Sequence, residues 1–527
     1  MLLLYRIFLN RSSFEFGIMK VYLIGRKTMV AYKTKEQVHN RALKAIGKSM
    51  SELMANMPEK KSGKKSQVGD AWESWFGVDK NSIAGADLYE AGVELKATPF
   101  KVLKNGKQSA KERLVLNIIN YIEEYDKVFE TSSFWIKNQF MELGFYQPDK
   151  ELPWTDWQIV KAVLFRFPEK DLLIIKQDWE LIHNYIKCGQ AHELSEGLTM
   201  YLGACTKGAN KNSLRNQHPS LNAPKAMQRA YSLKSSYMTY ILREFVFGNQ
   251  LDENIRLEPF ENDHYEHIEY YQPKSSIISD ISVLKNTRLE DYIVQQLEQY
   301  KNKSVDELAE IFEIQKNEDG NYPKSINAIL INRMLGLYRD IEKTEEFLKA
   351  NITVKTIRVT KKNTIKESMS FPTFKFKELV QENWEESTLR DTLDATKFFF
   401  VLFQENADGI YYFKGAKFWS MPVSDLEGIV KFAWKDTVNT LKAGVQLSFY
   451  NGRVTNNFIS KSDKRIIHVR PHAKKSSYVS GSENSDQLPV PAQWINKPEI
   501  FSDDYMTKQC FWFNNDYVLE QISDLLE

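Results

Sequence analysis

Three side chains whose types could do hydrolytic chemistry together are Asp87, Glu94 and Lys96, spaced D-x6-E-x-K within Ala86–Phe100. Glu94 and Lys96 stand two apart in an otherwise apolar run of Val93, Leu95 and Ala97. On a strand they therefore share one face, and the apolar residues take the other. Two carboxylates suit a hard divalent cation such as Mg²⁺, and a neighbouring lysine can orient or deprotonate a water. Such a set fits metal-assisted hydrolysis of a phosphodiester, with Asp87 and Glu94 as the metal ligands. The same spacing also fits a surface strand carrying an ion pair, so the elements around it matter.

Upstream, KSQVGDAWESWFGV begins at Lys65 and sets Val68, Trp72, Trp75 and Phe76 on one helical stripe. Glu73 lies close to that stripe, which offers a third carboxylate from a helix that precedes the strand. A turn at Asn81, Ser82 and Gly85 separates the two. Before this helix, residues 34–58 read as helical, with Thr34 as cap and Gln37 three later. Beyond the strand, residues 114–121, 132–140 and 157–167 read as further strands, and 177–190 as a helix ending at Gly189. Residues 228–248 read as a strand or turn leading into a helix. The order predicts an α/β (α+β) fold, a mixed sheet flanked by helices.

A chain of 527 residues holds about two to four domains. Its 71 basic and 69 acidic residues nearly cancel, so any nucleic-acid surface must be built locally from clustered Lys and Arg. Cys188, Cys205 and Cys510 lack metal-ligand spacing and read as reduced thiols of a cytoplasmic protein. Residues 1–28 are broken by Arg6, Arg11, Glu15, Lys20 and Arg26, which argues for an extension outside the core and against a signal peptide. No apolar run is long enough to span a membrane. Residues 249–285 read as a polar connection, where His264 and His267 are expected to be solvated.

After that connection the chain repeats itself. GKSMSEL at 47–53 returns as NKSVDEL at 302–308, and KSQVGDAWESWFG at 65–77 as KSINAILINRMLG at 324–336. Trp179 and Gly189 are matched by Trp434 and Gly444, and 230–238 by 510–518. These echoes, in the same order, predict two homologous domains. In that alignment Asn332 replaces Glu73. Thr360 and Glu367-Ser368-Met369 are expected in the places of Asp87 and Glu94-Leu95-Lys96, which leaves the second copy without a catalytic set.

Lys65-x-x-Val68-Gly69-x-x-x-Glu73, Asp87 and Ala91-Gly92-Val93-Glu94-Leu95-Lys96-x-Thr98-Pro99 resemble the active-site block of the MutH family. The runs VHNRALKAIGKS, EAGVELKATPFK, KERLVLNIINY, AHELSEGLT and SLRNQ resemble its two-domain branch, the Sau-type type II restriction endonucleases specific for GATC. The resemblance implies two tandem restriction-endonuclease-like (MutH-like) domains. These are a catalytic one over 29–250, a linker over 251–285, and a DNA-binding, non-cutting one over 286–527. It implies Mg²⁺ on Asp87 and Glu94, Lys96 at the attacking water, Glu73 in support and Lys65 near the scissile phosphate. The family's Arg-Pro-x-Ala reading loop is matched by Arg470-Pro471-His472-Ala473, with Trp512 as the later aromatic. In the first copy Cys205-Thr206-Lys207-Gly208-Ala209 lacks the Arg-Pro pair, leaving Lys207, Arg215 and Lys234 as candidate DNA contacts, whether to bases or to phosphates. Partners implied are double-stranded DNA and a cognate methyltransferase as genetic partner. The protein is expected to be a monomer when free and a dimer or looped complex on DNA. The alternatives are a strand-nicking repair endonuclease and a non-catalytic DNA-binding regulator.

Overall fold

The computed structural model describes residues 32–55, 67–78, 85–208, 213–248 and 276–526. Helix α1 (Lys35–Leu43) starts where the Thr34 hydroxyl accepts the Gln37 N–H at 3.2 Å. The helix expected to run on to 58 is interrupted by Gly47 at φ +81°, and a single turn, Met50–Leu53, restarts behind a Ser49–Glu52 capping box. Helix α2 (Gln67–Trp75) follows, then β1 (Glu94–Val102), β2 (Gln108–Ala110) and β3 (Leu114–Ile118). Next come α3 (Ser133–Asn138), β4 (Met141–Tyr146), β5 (Ile159–Phe165), α4 (Glu169–Lys187), β6 (Leu202–Thr206), β7 (Arg229–Leu233) and α5 (Ser235–Ile241). The strand expected over 132–140 is instead largely α3. Phe134 and Asn138, four apart, share its buried side, and the Asn138 amide donates to the Phe134 carbonyl.

The second copy holds α6 (Leu289–Glu298), α7 (Ile326–Met334), α8 (Glu345–Ala350), β8 (Ile352–Val359), β9 (Ser370–Phe374) and α9 (Thr388–Ala395). It continues with β10 (Lys397–Glu405), β11 (Tyr411–Ser420), α10 (Lys431–Ala443), β12 (Ile467–Pro471), β13 (Gln509–Phe513) and α11 (Asn515–Gln521).

The repeat is legible in the backbone. β1 pairs parallel with β4, and β4 antiparallel with β5; β8, β10 and β11 do the same. Two three-stranded antiparallel sheets, β3-β7-β6 and β9-β13-β12, also share one order. Left-handed residues recur at matched points: Gly47 and Asn302, Gly77 and Gly336, Gly92 and Asn351, Gly189 and Gly444. Val78 donates to the Glu73 carbonyl as Leu337 does to that of Asn332, which supports the Glu73–Asn332 correspondence.

The strand topology corrects the expected place of the other three. β8, not the segment around Glu367, is the counterpart of β1. Gly92 (φ +64°) and Asn351 (φ +56°) then place Glu346 at Asp87, Thr353 at Glu94 and Lys355 at Lys96. Glu367 instead pairs with Arg358, near the far end of β8.

The described residues form two compact units. The first comprises 32–112 and 133–167, and the second 113–132, 168–248 and 276–526. Packing thus divides the chain differently from the repeat, because β3, β6, β7 and α4 of the first copy pack with the second copy. The end of the expected linker also belongs to that packing, with Ile277, Ile278 and Leu284 buried; its histidines His264 and His267 lie outside the described residues. The core of the first unit gathers Val38, Ala42, Trp72, Val93, Leu95 and Ile159. That of the second includes Ile357, Phe400, Trp434, Ile467, Phe511 and Phe513. No helix among the described residues is long and apolar enough to cross a membrane.

Candidate active site

Residues 85–92 fold back on the start of β1. The Leu88 N–H donates to Val93 O at 3.0 Å, Gly92 N–H donates to Tyr89 O at 3.1 Å, and Gly92 takes the left-handed conformation that closes the turn. Val93 and Leu95 face the core, which leaves Glu94 and Lys96 on the opposite face, as alternation requires. The turn carries Asp87 back onto that face. Its N–H donates to Glu94 Oε2 at 3.2 Å, and its Oδ2 accepts the Leu95 N–H at 3.1 Å. The two carboxylates and the lysine predicted from spacing are therefore brought together, with Lys96 Nζ 2.5 Å from Glu94 Oε1.

A second ammonium joins them. Lys137, in α3 just ahead of β4, places Nζ 3.3 Å from Glu94 Oε1 and 3.9 Å from Asp87 Oδ1. Parallel pairing of β1 with β4, Glu94 opposite Met141, delivers it there. No motif marks Lys137, because its proximity depends on that pairing and the residues of its helix also suit a strand.

Helix α2 supplies Glu73. Trp72 anchors the helix over β4: its indole N–H donates to Glu142 O at 3.3 Å, and a Cβ on Gly144 would meet its ring at 3.0 Å. Glu142 itself, 0% exposed and 3.1 Å from His39 Nδ1, stands opposite Leu95 and so belongs to the core side of the sheet. Burial, then the neighbouring charges of Asp87 and Asp70, push the Glu73 carboxyl up to about 7, against the pull of Lys96. Burial likewise raises Glu94, which is 1% exposed, with Lys96 opposing it.

Among the described residues no group of three or more His, Cys, Asp or Glu side chains is arranged to hold a metal ion. A two-carboxylate set still fits Mg²⁺, which commonly takes one or two protein carboxylates and fills its remaining positions with phosphate oxygens and water. Asp87 Oδ1 accepts no hydrogen bond from the backbone N–H that holds Oδ2.

The other predicted residues fall as follows. Lys65 lies outside the described residues. Lys207 is exposed at the end of β6, and Arg215 is exposed in a two-residue strand paired to Ala226. Lys234 is corrected as a DNA contact: it is 2% exposed and donates to Thr199 O at 2.6 Å and Ala350 O at 3.1 Å. Burial pulls its pKa down to about 8.

Arg470 and Trp512 are brought together, the guanidinium carbon 4.9 Å from the indole ring, with the His472 ring 5.6 Å away. Strand pairing aligns Leu202 with Leu233 and Ile467 with Phe513, so buried Cys205 occupies in β6 the place of exposed Arg470 in β12. His468, opposite Trp512, is buried, and burial with Arg470 beside it pushes its pKa down to about 4. Lys461 adds to that downward push, so the positive charge close to His468 is that of Arg470 and Lys461.

Residues 76–178, which contain Asp87, Glu94, Lys96 and Lys137, match the family described as DNA mismatch repair enzyme MutH. The chain is 29% identical over 215 residues to the DNA mismatch repair protein MutH of Shewanella woodyi, covering 40% of this chain and 91% of that protein. With MutH of Pasteurella multocida the identity is 22% over 223 residues, covering 41% and 98%. With the type II restriction enzyme Sau3AI of Staphylococcus aureus it is 48% over 516 residues, covering 94% of this chain and 100% of that protein. That similarity runs through both copies, and on its extent the chain belongs to the Sau3AI family of type II restriction enzymes.

Proposed function

We propose that the protein hydrolyses both strands of double-stranded DNA at GATC, cutting with its first copy and binding a further DNA segment with its second. The observation that carries this reading is the turn that lays Asp87 on Glu94 beside Lys96 and Lys137. Asp87 and Glu94 would hold Mg²⁺, which supplies charge neutralisation at the scissile phosphate and a more acidic water. Lys96 orients that water or takes its proton. Lys137 adds positive charge where the phosphorane-like charge develops. Glu73 would support the metal side of the site, and Lys65 is the basic residue expected to act on the scissile phosphate.

DNA recognition in the second copy rests on Arg470, whose guanidinium can donate bidentately to guanine, and on Trp512, which stacks against it. Lys207 and Arg215 contact DNA in the cutting copy. Thr353 in the place of Glu94 explains why the second copy binds without cutting. A methyltransferase of the same specificity is the expected genetic partner, and the cytoplasm the expected location. The protein acts as a monomer that pairs or loops on DNA.

Incubating unmethylated plasmid with the pure protein and Mg²⁺ tests this directly. Linear fragments ending at GATC are expected. Nicked circles would favour a repair nickase, and unchanged plasmid a non-catalytic regulator.

A further inference from the structure

The second copy's version of the catalytic turn is α8, and its polar side chains are committed elsewhere. Glu346, in the place of Asp87, is 0% exposed. Its Oε1 accepts from Lys170 Nζ at 2.6 Å and Ser276 Oγ at 2.7 Å, and its Oε2 from the Ile277 N–H at 3.1 Å. Lys349 is 1% exposed and donates to both Asp171 oxygens, at 2.8 and 2.9 Å, and also to Glu345. Asp171 accepts in addition from the Tyr237 hydroxyl at 2.9 Å. The backbone of α8 is held as well: Ser236 Oγ donates to Lys349 O at 2.8 Å, and Lys234 Nζ to Ala350 O at 3.1 Å.

Most of these partners come from the first copy; Ser276 and Ile277 belong to the connection between the copies. Lys170 and Asp171 open α4, Ser236 and Tyr237 lie in α5, and Lys234 links β7 to α5. From α4 the connection runs to β6, because Asp178 accepts the N–H groups of Met200, Tyr201 and Leu202 at 2.7, 2.6 and 2.9 Å. Leu202 begins β6, which ends beside Lys207. On the other side, Phe347 of α8 packs on Phe399 of β10 and Phe418 of β11, at ring distances of 5.8 and 6.3 Å.

We propose that α8, the counterpart of the turn 85–92, has been converted into the joint that fixes β6 and β7 of the first copy to the second copy. Through it, DNA bound at the Arg470–Trp512 face biases the position of β6. The second clause rests on the function proposed above; the first does not. Buried charges that satisfy one another specify a single docking, since removing either member of a pair strands the other in a dry environment, whereas replacing both by apolar groups does not. The same residues cannot also serve a metal site, so the second copy is closed to cleavage by its packing as well as by Thr353.

The test is a cycle of Lys349→Met, Asp171→Leu and both together in the full chain, read by amide hydrogen exchange without DNA. Each single variant is expected to speed exchange about tenfold or more in α8 and at Met200–Leu202 alike, and the double variant to recover protection at both. Faster exchange confined to α8, or no recovery in the double variant, overturns the joint. Should a single variant fail to fold, Tyr237→Phe removes one hydrogen bond of the cluster and is held to the same two-site response.

Cleavage rates on DNA with two sites and with one then test the coupling. The two-site advantage is expected to fall in Tyr237→Phe and in Arg470→Ala, with the one-site rate of Tyr237→Phe unchanged. An advantage sensitive to Arg470→Ala but not to Tyr237→Phe overturns the coupling alone. No advantage in the unsubstituted protein overturns the coupling together with the second DNA site, and leaves the exchange result to decide the joint.

Discussion

At the scale of single residues, three carboxylates, Glu73, Asp87 and Glu94, lean on one another while Lys96 and Lys137 hold the cluster together. The fold resists the charge of Glu73 as it does that of Glu94, with the Glu73 carboxyl pushed from 4.5 to about 7. A folded pKa raised above the unfolded value contributes stability that is full below about 4.5 and is lost as pH rises through about 7. In metal-free protein Glu73→Gln is therefore expected to be more stable than the parent at pH 8, by about 1–2 kcal/mol after allowance for solvent screening. The difference should vanish near pH 4, and thermal unfolding across that range checks it. Lys137 lends itself to a kinetic test. Lys137→Met is expected to lower single-turnover cleavage at least tenfold, on the order of the loss of one charge-stabilising donor, with DNA binding retained. Asp87, Glu94 and Lys96 could be read from spacing because all three sit within one turn and one strand. Lys137 could not, since nothing local ties it to Glu94.

Among the elements, the turn 85–92 does the assembling, and its left-handed residue is its weak point. Gly92→Val is expected to cost about 1–2 kcal/mol and to disorder the site, since a β-branched residue resists positive φ. Gly92→Asn should be tolerated, as the second copy already places Asn351 there at φ +56°. Comparing the melting temperatures and cleavage rates of the two variants checks both expectations. Helix α2 depends in a similar way on Gly144, where Gly144→Ala would press on Trp72. Periodicity disclosed α2 and β1 because each has one apolar face. It misassigned α3, a short helix whose sequence SSFWIKNQF is rich in aromatic and branched residues that also suit strands. Alignment of the repeats places the counterpart of Glu94 wrongly at Glu367, because sequence echoes carry no strand pairing, and pairing is what defines equivalence between copies.

Over the whole molecule, the repeat and the packing follow different boundaries. Sequence echoes point to a duplication, and the two halves share matching strand orders and left-handed residues. They could not reveal that β3, β6, β7 and α4 pack with the second copy. That arrangement rests on buried pairs such as Lys349 with Asp171, which lie far apart in sequence and look like ordinary surface charges in a linear reading. The proposed division of labour between the copies predicts opposite phenotypes: Arg470→Ala should weaken DNA binding while leaving the chemical step on one-site DNA intact, and Asp87→Ala should abolish the chemical step while leaving binding intact. The most direct measurement is single-turnover cleavage of a GATC duplex in Mg²⁺ by Asp87→Ala, with binding of the same duplex measured in parallel. A loss of at least about a thousandfold in rate at near-unchanged affinity is expected, on the scale of removing a metal ligand from a hydrolytic site. Cleavage by Asp87→Ala at close to the parent rate would contradict the assignment of this turn as the cutting centre.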